Sequence, residues 1–481
     1  MDVVVIGAGI AGLGTALHLG KAGHTVTLLE RDPAPPDDVG EAWESWERAG
    51  VPQSRLAHVF LGRMRNALRD DHPELYAELL AAGATEIPFS GFLPPAVEDR
   101  SPRPLDADTV MLGMRRIVLE LHLRRAVAAA GVEIRSNAPV ADVVAGEPID
   151  GIPRVTGVTL EDGTTVAADL VVDCGGRRTA LPRWLTSLGA GAMPEEHVED
   201  GLMYFGRFYK LEDGQSYPVH EAPITDLGYL FALTFEADDG WFAIALAVHS
   251  EDKLIRDLRD EDIFEAALAA IPGTAVWRTP GLSQPMSDVK SMARIDDRWR
   301  DLVVDGRPLV VGLVAVGDSL VATNPAFGRG SSLAWISGRA LVDVIAAHGD
   351  DLVALAVAQH DATHALVRGW YEQTAQMDAG RLEVMRALLH GETLPEPDVS
   401  DPSVSFPIGL QLASRVDPEV YRAFACIAHL LKEPLELLED PHITNAAIDA
   451  FERRDSFSEP EPGPSRDELL AAMQGSRAAA G

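Results

Sequence analysis

The first thirty residues constrain this chain more than any other part of it. Asp2-Val-Val-Val-Ile6 has the composition of a buried strand, and Gly7-Ala8-Gly9-Ile10-Ala11-Gly12 follows at once. Leu13 to Gly23 then reads as a helix, and Thr25-Val-Thr-Leu-Leu29 as a second strand that ends at Glu30. A lone Gly-x-Gly-x-x-Gly is weak, but a strand, glycine turn, helix and strand closed by an acid form a complete unit. Gly7 permits the tight turn, Gly9 lets the backbone approach a pyrophosphate, Gly12 lets the helix pack on the strand, and Glu30 can accept from ribose hydroxyls. The helix start adds free N–H groups and partial positive charge for phosphates. The expected ligand is an adenine dinucleotide, with Ile10, Ala11, Arg31 and Val140 also assigned to its contact surface.

A second element narrows the choice of dinucleotide. Leu309 to Val316 reads as a buried strand followed by Gly317-Asp318, and Asn324-Pro325-Ala326-Phe327-Gly328-Arg329-Gly330-Ser331-Ser332 opens a long helix to about Ala347. A carboxylate at a strand's end can accept from polyol hydroxyls, and a helix start beyond a glycine turn presents bare N–H groups. An isoalloxazine edge placed there gains help in carrying negative charge. NAD has neither a ribityl chain nor such an edge, so Asp318, Pro325, Gly328, Gly330 and Ser331 favour FAD.

Together these segments resemble the class A flavoprotein monooxygenases, the aromatic hydroxylases and squalene-epoxidase-like enzymes of the p-hydroxybenzoate hydroxylase fold. The resemblance covers about residues 1–350. It implies that Arg116 (or Arg115) in Arg115-Arg116-Ile-Val-Leu119-Glu120 lies on the FAD. The segment Trp46-Glu-Arg48-Ala-Gly-Val-Pro-Gln53-x-Arg55-x-x-His58 is similar to one in actinobacterial FAD-dependent oxidoreductases, where it lies near the flavin. Gln53, Arg55 and His58 carry over on that basis, with His58 as the one candidate catalytic residue. The activity implied is epoxidation or hydroxylation of a hydrophobic small molecule (polyketide, isoprenoid or aromatic, of secondary metabolism) by O2 through a flavin C4a-hydroperoxide. NAD(P)H is the implied electron donor. Two departures matter. Cys174-Gly175-Gly176 stands where the family usually has Ala-Asp-Gly and is more similar to the Asp-Ala-Thr-Gly of many members, which leaves direct reduction by NAD(P)H and a separate flavin reductase both open. Ser332 replaces the usual Asn.

The fold class expected is α/β: a discontinuous Rossmann-like FAD-binding domain (1–88, 105–190 and 295–350) with an inserted β-sheet substrate domain (89–104 and 191–294). A C-terminal helical region (351–455), broken at its prolines, and an acidic linker and tail (456–481) follow. Helices are expected over Val59–Ala82 and Val110–Ala130, and a hairpin over Val155–Val166. Met203–Tyr209 and Leu227–Val248 alternate as strands of the inserted sheet, with Arg207, Tyr209 and Phe231 as candidate substrate-lining residues. Such cavities are lined mostly by apolar side chains.

A formal net charge of −33 over 481 residues argues against nucleic acid and anionic membranes as partners. The two cysteines form no disulfide framework, and no apolar run reaches the roughly 18 residues of a membrane span. With a strand beginning at Asp2 there is no room for a signal peptide, so the expectation is a cytoplasmic protein without membrane insertion. The fourteen histidines read as scattered, and no metal is expected. Two rival chemistries share the fold. A reductase or dehydrogenase of the geranylgeranyl-reductase type gains from the missing acid near Gly175. A flavin halogenase needs a lysine near the flavin, and this chain has none between Lys21 and Lys210. A flavoprotein without turnover is the remaining alternative.

Overall fold

The structure is a computed structural model that describes residues 1–198, 201–218, 223–253, 255–293, 295–394, 398–457 and 463–480. In chain order it contains β1 (Asp2–Ile6), α1 (Ile10–Lys21), β2 (Thr25–Leu29), α2 (Arg116–Ala129), β3 (Glu133–Arg135) and β4 (Leu170–Asp173). The inserted sheet follows as β5 (Leu202–Leu211), β6 (Ile224–Asp226), β7 (Leu230–Glu236), β8 (Trp241–His249), α3 (Glu261–Ala270), β9 (Ser283–Pro285) and β10 (Lys290–Ala293). Then come β11 (Asp297–Arg300), β12 (Leu313–Ala315), α4 (Arg329–His348), α5 (Leu352–His390), α6 (Pro402–Ser414), α7 (Pro418–Ala428) and α8 (Pro441–Glu452).

Five parallel strands in the order β12-β4-β1-β2-β3 form the central sheet. Val3 to Ile6 and all of β4 are buried, which is why they read as unbroken apolar runs: a parallel sheet is covered on both faces. β12 pairs with β4 in parallel, Val314 opposite Val172, so a strand far along the chain completes the sheet begun at Asp2. α1 is held between the sheet and α4 by reciprocal glycine contacts. A Cβ on Gly14 would stand 2.8 Å from the Trp335 ring, and one on Gly338 2.4 Å from Thr15 Oγ1.

The second sheet runs β6-β7-β8-β5-β9, with β10 also pairing β5, all antiparallel. Alternation divides its side chains. Met203, Phe205, Tyr209, Leu230 and Ala232 pack on the outer face with Ile263, Phe264 and Ala267 of α3. Tyr204, Phe231 and Leu233 share a cluster on the inner face with Ala326 and Met385.

The prolines of the C-terminal region are helix starts. Pro402, Pro418 and Pro441 each occupy the first turn, where a missing N–H costs nothing. Asp401, Asp417 and Asp440 cap the same helices through side-chain oxygens. Residues 89–104 lie against α7: Phe89 stacks on Tyr421 at 5.4 Å and Arg103 pairs with Glu419. Of the linker expected near Ser456–Ser465, residues 458–462 lie outside the described residues. No helix among the described residues is long and apolar enough to cross a membrane.

Two expected helices differ. Val110–Gly113 is a strand, paired with Thr85–Pro88 and bridged from Phe60 to Leu112, and the helix starts only at Arg116. The local pattern is helical enough, but pairing partners distant in sequence win. The Val59–Ala82 helix is split into Gly62–Asp71 and Pro73–Ala81, because Pro73 has no N–H to continue the first. The hairpin is present, with Ile152–Leu160 facing Thr165–Ala167.

A Cβ on Gly12 would lie 1.8 Å from the Gly7 carbonyl oxygen, a backbone atom that cannot swing away. Gly12→Ala should therefore destabilise the protein by about 1–3 kcal/mol or more and depress flavin content. Thermal unfolding and the flavin-to-protein absorbance ratio check this; a wild-type midpoint with full flavin would refute it.

Candidate active site

A cavity of about 1420 Å³ opens at the carboxyl ends of β1, β2 and β4, beside the first glycine turn. Ligands of open α/β sheets bind at that end of the strands. Its volume exceeds the range of roughly 300–1,000 Å³ usual for one small ligand, leaving room for a dinucleotide and a second molecule.

At the first end Gly7 turns the chain with φ +94°, and a Cβ there would strike the Cys174 carbonyl at 2.6 Å. Gly9 differs: its missing Cβ faces the cavity, and the nearest atom is Arg116 Nη2 at 3.6 Å. The space is kept free on the ligand side. Gly7, Gly9, Ile10, Ala11, Glu30, Arg31, Arg116 and Val140 all line the cavity, while Gly12 lies beneath it. Arg116 is fixed by Nε donating to Glu120 Oε1 at 2.8 Å.

Glu30 is buried and already engaged. Its Oε2 accepts from the Ala8 N–H at 2.8 Å and from Arg48 at 3.1 Å, and its Oε1 accepts from the Asp32 N–H at 2.9 Å. A carboxylate has about four acceptor sites, so roughly one remains for a ribose. Arg48, which sequence reasoning did not assign to the site, is its hidden centre. The fully buried guanidinium pairs with Glu30, with Asp32 at 3.4 Å and with Glu120 at 3.0 Å, and donates to Ala8 O at 2.8 Å. Periodicity carries no signal for it, since its partners come from three separate segments.

At the second end Asp318, Pro325, Gly328, Gly330 and Ser331 line the cavity. Gly328 takes φ +65°, and Asp318 Oδ2 stands 3.4 Å from Arg177 Nε. A Cβ on Gly330 would have open space to Asp318 Oδ1 and Thr323 Oγ1, both at 3.8 Å. α1 and α4 start at Gly9 and Gly328 without a side-chain cap, whereas α5 to α8 are capped by aspartates. Two bare helix starts thus lead into one cavity, and Thr323 Oγ1 is buried there without a partner among the described residues. This donor set fits a flavin dinucleotide: the start of α1 would take phosphates, Asp318 a polyol hydroxyl and the start of α4 an electron-rich ring edge.

His58 lines the cavity between the two ends. Nδ1 faces the Leu56 carbonyl at 2.9 Å and Nε2 faces Arg116 Nη1 at 3.4 Å. Burial, then the Arg116 charge, pushes its pKa down to about 3. That favours the neutral ring, with Nδ1–H donating to the Leu56 carbonyl and Nε2 accepting from Arg116. Gln53 lines the cavity, but Arg55 does not: it lies over Trp43 and reaches the Trp46 carbonyl at 3.5 Å. Below, burial raises the pKa of Asp173, whose Oδ1 accepts from the Gly175 N–H at 2.8 Å. Burial also pushes the Cys174 thiol up, so it is no nucleophile.

The expected substrate residues need correction. Arg207 and Tyr209 sit at odd positions of β5 and face outward, Arg207 to Glu261 and Glu265, Tyr209 to Glu265 at 2.8 Å. With a period of two, the even positions turn inward instead. Phe231 is on the inner face but covered by Arg381, whose guanidinium lies 4.4 Å from its ring. The far wall comes from a region the motifs did not reach: Gln373, Met377 and Arg381 of α5, Phe406 and Leu410 of α6, Phe424 and Ile427 of α7. Gln373 Oε1 and His429 Nε2 are buried there without partners among the described residues.

Comparison with known proteins agrees with this geometry. Residues 2–120 match the family described as FAD dependent oxidoreductase. The N-terminal quarter of the chain is therefore similar to FAD-dependent oxidoreductases. Residues 114–186 match the family described as tryptophan halogenase. Protein Rv3254 of Mycobacterium tuberculosis is 29% identical over 367 residues, covering 69% of this chain and 70% of that protein. The flavin-dependent brominase Bmp2 superposes with a TM-score of 0.57 at 17% identity, over 94% of this chain and 100% of that one. The anhydrotetracycline hydroxylase OxyS of Streptomyces rimosus gives 0.52 at 17% identity, over 90% and 76%.

Arg48→Met should cost about 3–5 kcal/mol, since it strands buried carboxylates without their cation. Urea unfolding of the variant tests this, and an unchanged midpoint would count against the cluster. Acid should also weaken the fold. Burial pushes His18 and His58 down to about 3 and His72 and His429 to about 4, from an ordinary 6.5. Below 6.5 the unfolded chain takes up protons that the native core excludes, so stability is complete above that value and falls as pH drops toward 4. His429→Gln should flatten part of that decline; equal slopes in variant and wild type would argue otherwise.

Proposed function

We propose that this chain is an FAD-dependent monooxygenase that epoxidises or hydroxylates a hydrophobic small molecule with O2. One observation carries the reading: the groove suited to the dinucleotide and the apolar chamber under the inserted sheet are a single cavity. A reduced flavin supplies the activation of O2 for oxygen transfer. The chain's own residues do the rest. Glu30, Arg116 and the start of α1 hold the adenosine and phosphate half. Asp318 and the Gly328–Ser331 turn hold the polyol and ring half. Phe235, Met292, Ile295, Leu410 and Phe424 supply apolar wall, and Gln373 and His429 offer the few polar atoms that orient a bound molecule. Met377 and Phe424 are 43% and 42% exposed, and both line the cavity. Large apolar side chains left bare in a cavity suit an apolar guest.

The rival chemistries are weighed by the same wall. Among the described residues no lysine lines the cavity, which disfavours halogenation despite the halogenase likeness. The Cys174-Gly175-Gly176 turn keeps a reductase or dehydrogenase as the second reading, and it leaves NAD(P)H to act directly or through a separate flavin reductase.

The test is reduction of the purified protein by NADPH or dithionite, then exposure to 18O2 with a panel of polyketide, isoprenoid and aromatic compounds. A product carrying one 18O atom is expected. Reoxidation without labelled product, together with anaerobic reduction of a substrate double bond, would replace this reading with the reductase one. Met377→Trp should fill the chamber and cut turnover about tenfold or more while flavin content stays unchanged. Equal turnover would move the substrate elsewhere.

A further inference from the structure

Away from this cavity, α5 and the end of β11 bring together three side chains of metal-binding type. His360 and His364 stand one helical turn apart on α5 and so project from one face. Their rings are 4.2 Å apart. Asp301, which follows β11 directly, meets both: Oδ1 lies 2.9 Å from His364 Nε2 and 3.6 Å from His360 Nδ1. One ligand atom from each of the three lies within 4.8 Å of the other two. The histidines are therefore not all scattered, and the four-residue interval gains its meaning from the helix around it.

We propose that Asp301, His360 and His364 bind a divalent transition-metal ion of the zinc type. Zinc takes imidazole nitrogen and carboxylate oxygen at about 2.0–2.2 Å in tetrahedral geometry, which separates neighbouring ligand atoms by roughly 3.3 Å. The two ligand–carboxylate separations here, 2.9 and 3.6 Å, bracket that value. Two imidazoles and one carboxylate suit zinc, cobalt or nickel; calcium and magnesium prefer oxygen alone. The carboxylate is also oriented from behind, as metal ligands are. The buried Trp299 donates its indole N–H to Asp301 Oδ1 at 2.9 Å and sets its ring edge-on to His364 at 4.8 Å. The side chains of Asp301, His360 and His364 are 22%, 22% and 35% exposed, so a fourth position is open to water. Arg368, one turn further along α5, is the nearest described cation on that helix face, and its charge is taken up by Glu196 and Glu372.

The site is structural and separate from oxygen chemistry. None of the three residues lines the large cavity. Along α5, nine residues separate His364 from Gln373, about 13 Å of helix. A metal ion here pins α5 to β11, and α5 in turn carries Gln373, Met377 and Arg381 into the cavity wall. The proposal does not depend on the substrate or on the monooxygenase reading.

The experiment uses the tag-free, full-length flavoprotein, stripped with EDTA and desalted. Zinc sulfate is titrated by calorimetry at neutral pH, and metal content is measured after dialysis. Wild type should take one zinc per chain and unfold at a higher temperature with zinc than without it. His360→Gln, His364→Gln and the double variant should each lose about tenfold or more in affinity and lose the thermal shift. Their flavin content and far-ultraviolet circular dichroism should match wild type, which separates lost binding from misfolding. If the double variant does not fold, Asp301→Asn serves in its place. Absence of saturable binding, or equal binding by wild type and variants, would leave the cluster as a hydrogen-bonded His–Asp contact and overturn the proposal.

Discussion

One buried cation sets the geometry of the dinucleotide end. Arg48 ties Glu30 at the end of β2, Asp32 just beyond it and Glu120 on α2 into a single cluster, and its bond to Ala8 O reaches the glycine turn. Buried charges survive when they are paired and hydrogen-bonded, and then the geometry is held tightly. Glu120 in turn fixes Arg116, and Arg116 faces His58. The turn, the acid and the cavity arginine are therefore positioned by one connected network. A sequence motif shows its ends, Gly7 to Glu30, but the middle is invisible until the fold closes.

Legibility followed the range of the interactions. Local mechanics were readable: Gly12 must lack a Cβ because the Gly7 carbonyl occupies that space, and Gly328 needs its left-handed turn before α4. The burial of the strand within Leu309–Val316 was readable too, as an unbroken apolar run, but its place beside β4 was not. Properties that depend on face or on distant partners were not. Arg207 and Tyr209 are aromatic-rich neighbours of the right strand, yet the pleat turns them to α3. Val110–Gly113 has helical periodicity, yet residues 85–88 claim it as a strand.

The C-terminal helices show the same limit from another side. Their sequence announces starts and caps through Asp401-Pro402, Asp417-Pro418 and Asp440-Pro441. Nothing in it announces that α5, α6 and α7 wall the chamber, because that wall is assembled from single residues spread over three helices. In this architecture the dinucleotide groove is written in compact motifs, while the chamber beside it is written in scattered side chains.

The split of the central sheet has a consequence for synthesis. β4 lies between β1 and β12, and its second neighbour, Leu313–Ala315, is translated some 140 residues later. Until then one edge of Leu170–Asp173, three apolar residues and an aspartate, has no strand partner, and the inserted sheet is made in between. The cofactor groove is completed later still, when α4 is made. Flavin can be captured only by a chain already translated through α4, so availability of the cofactor acts after the inserted sheet has been made and not on early folding steps.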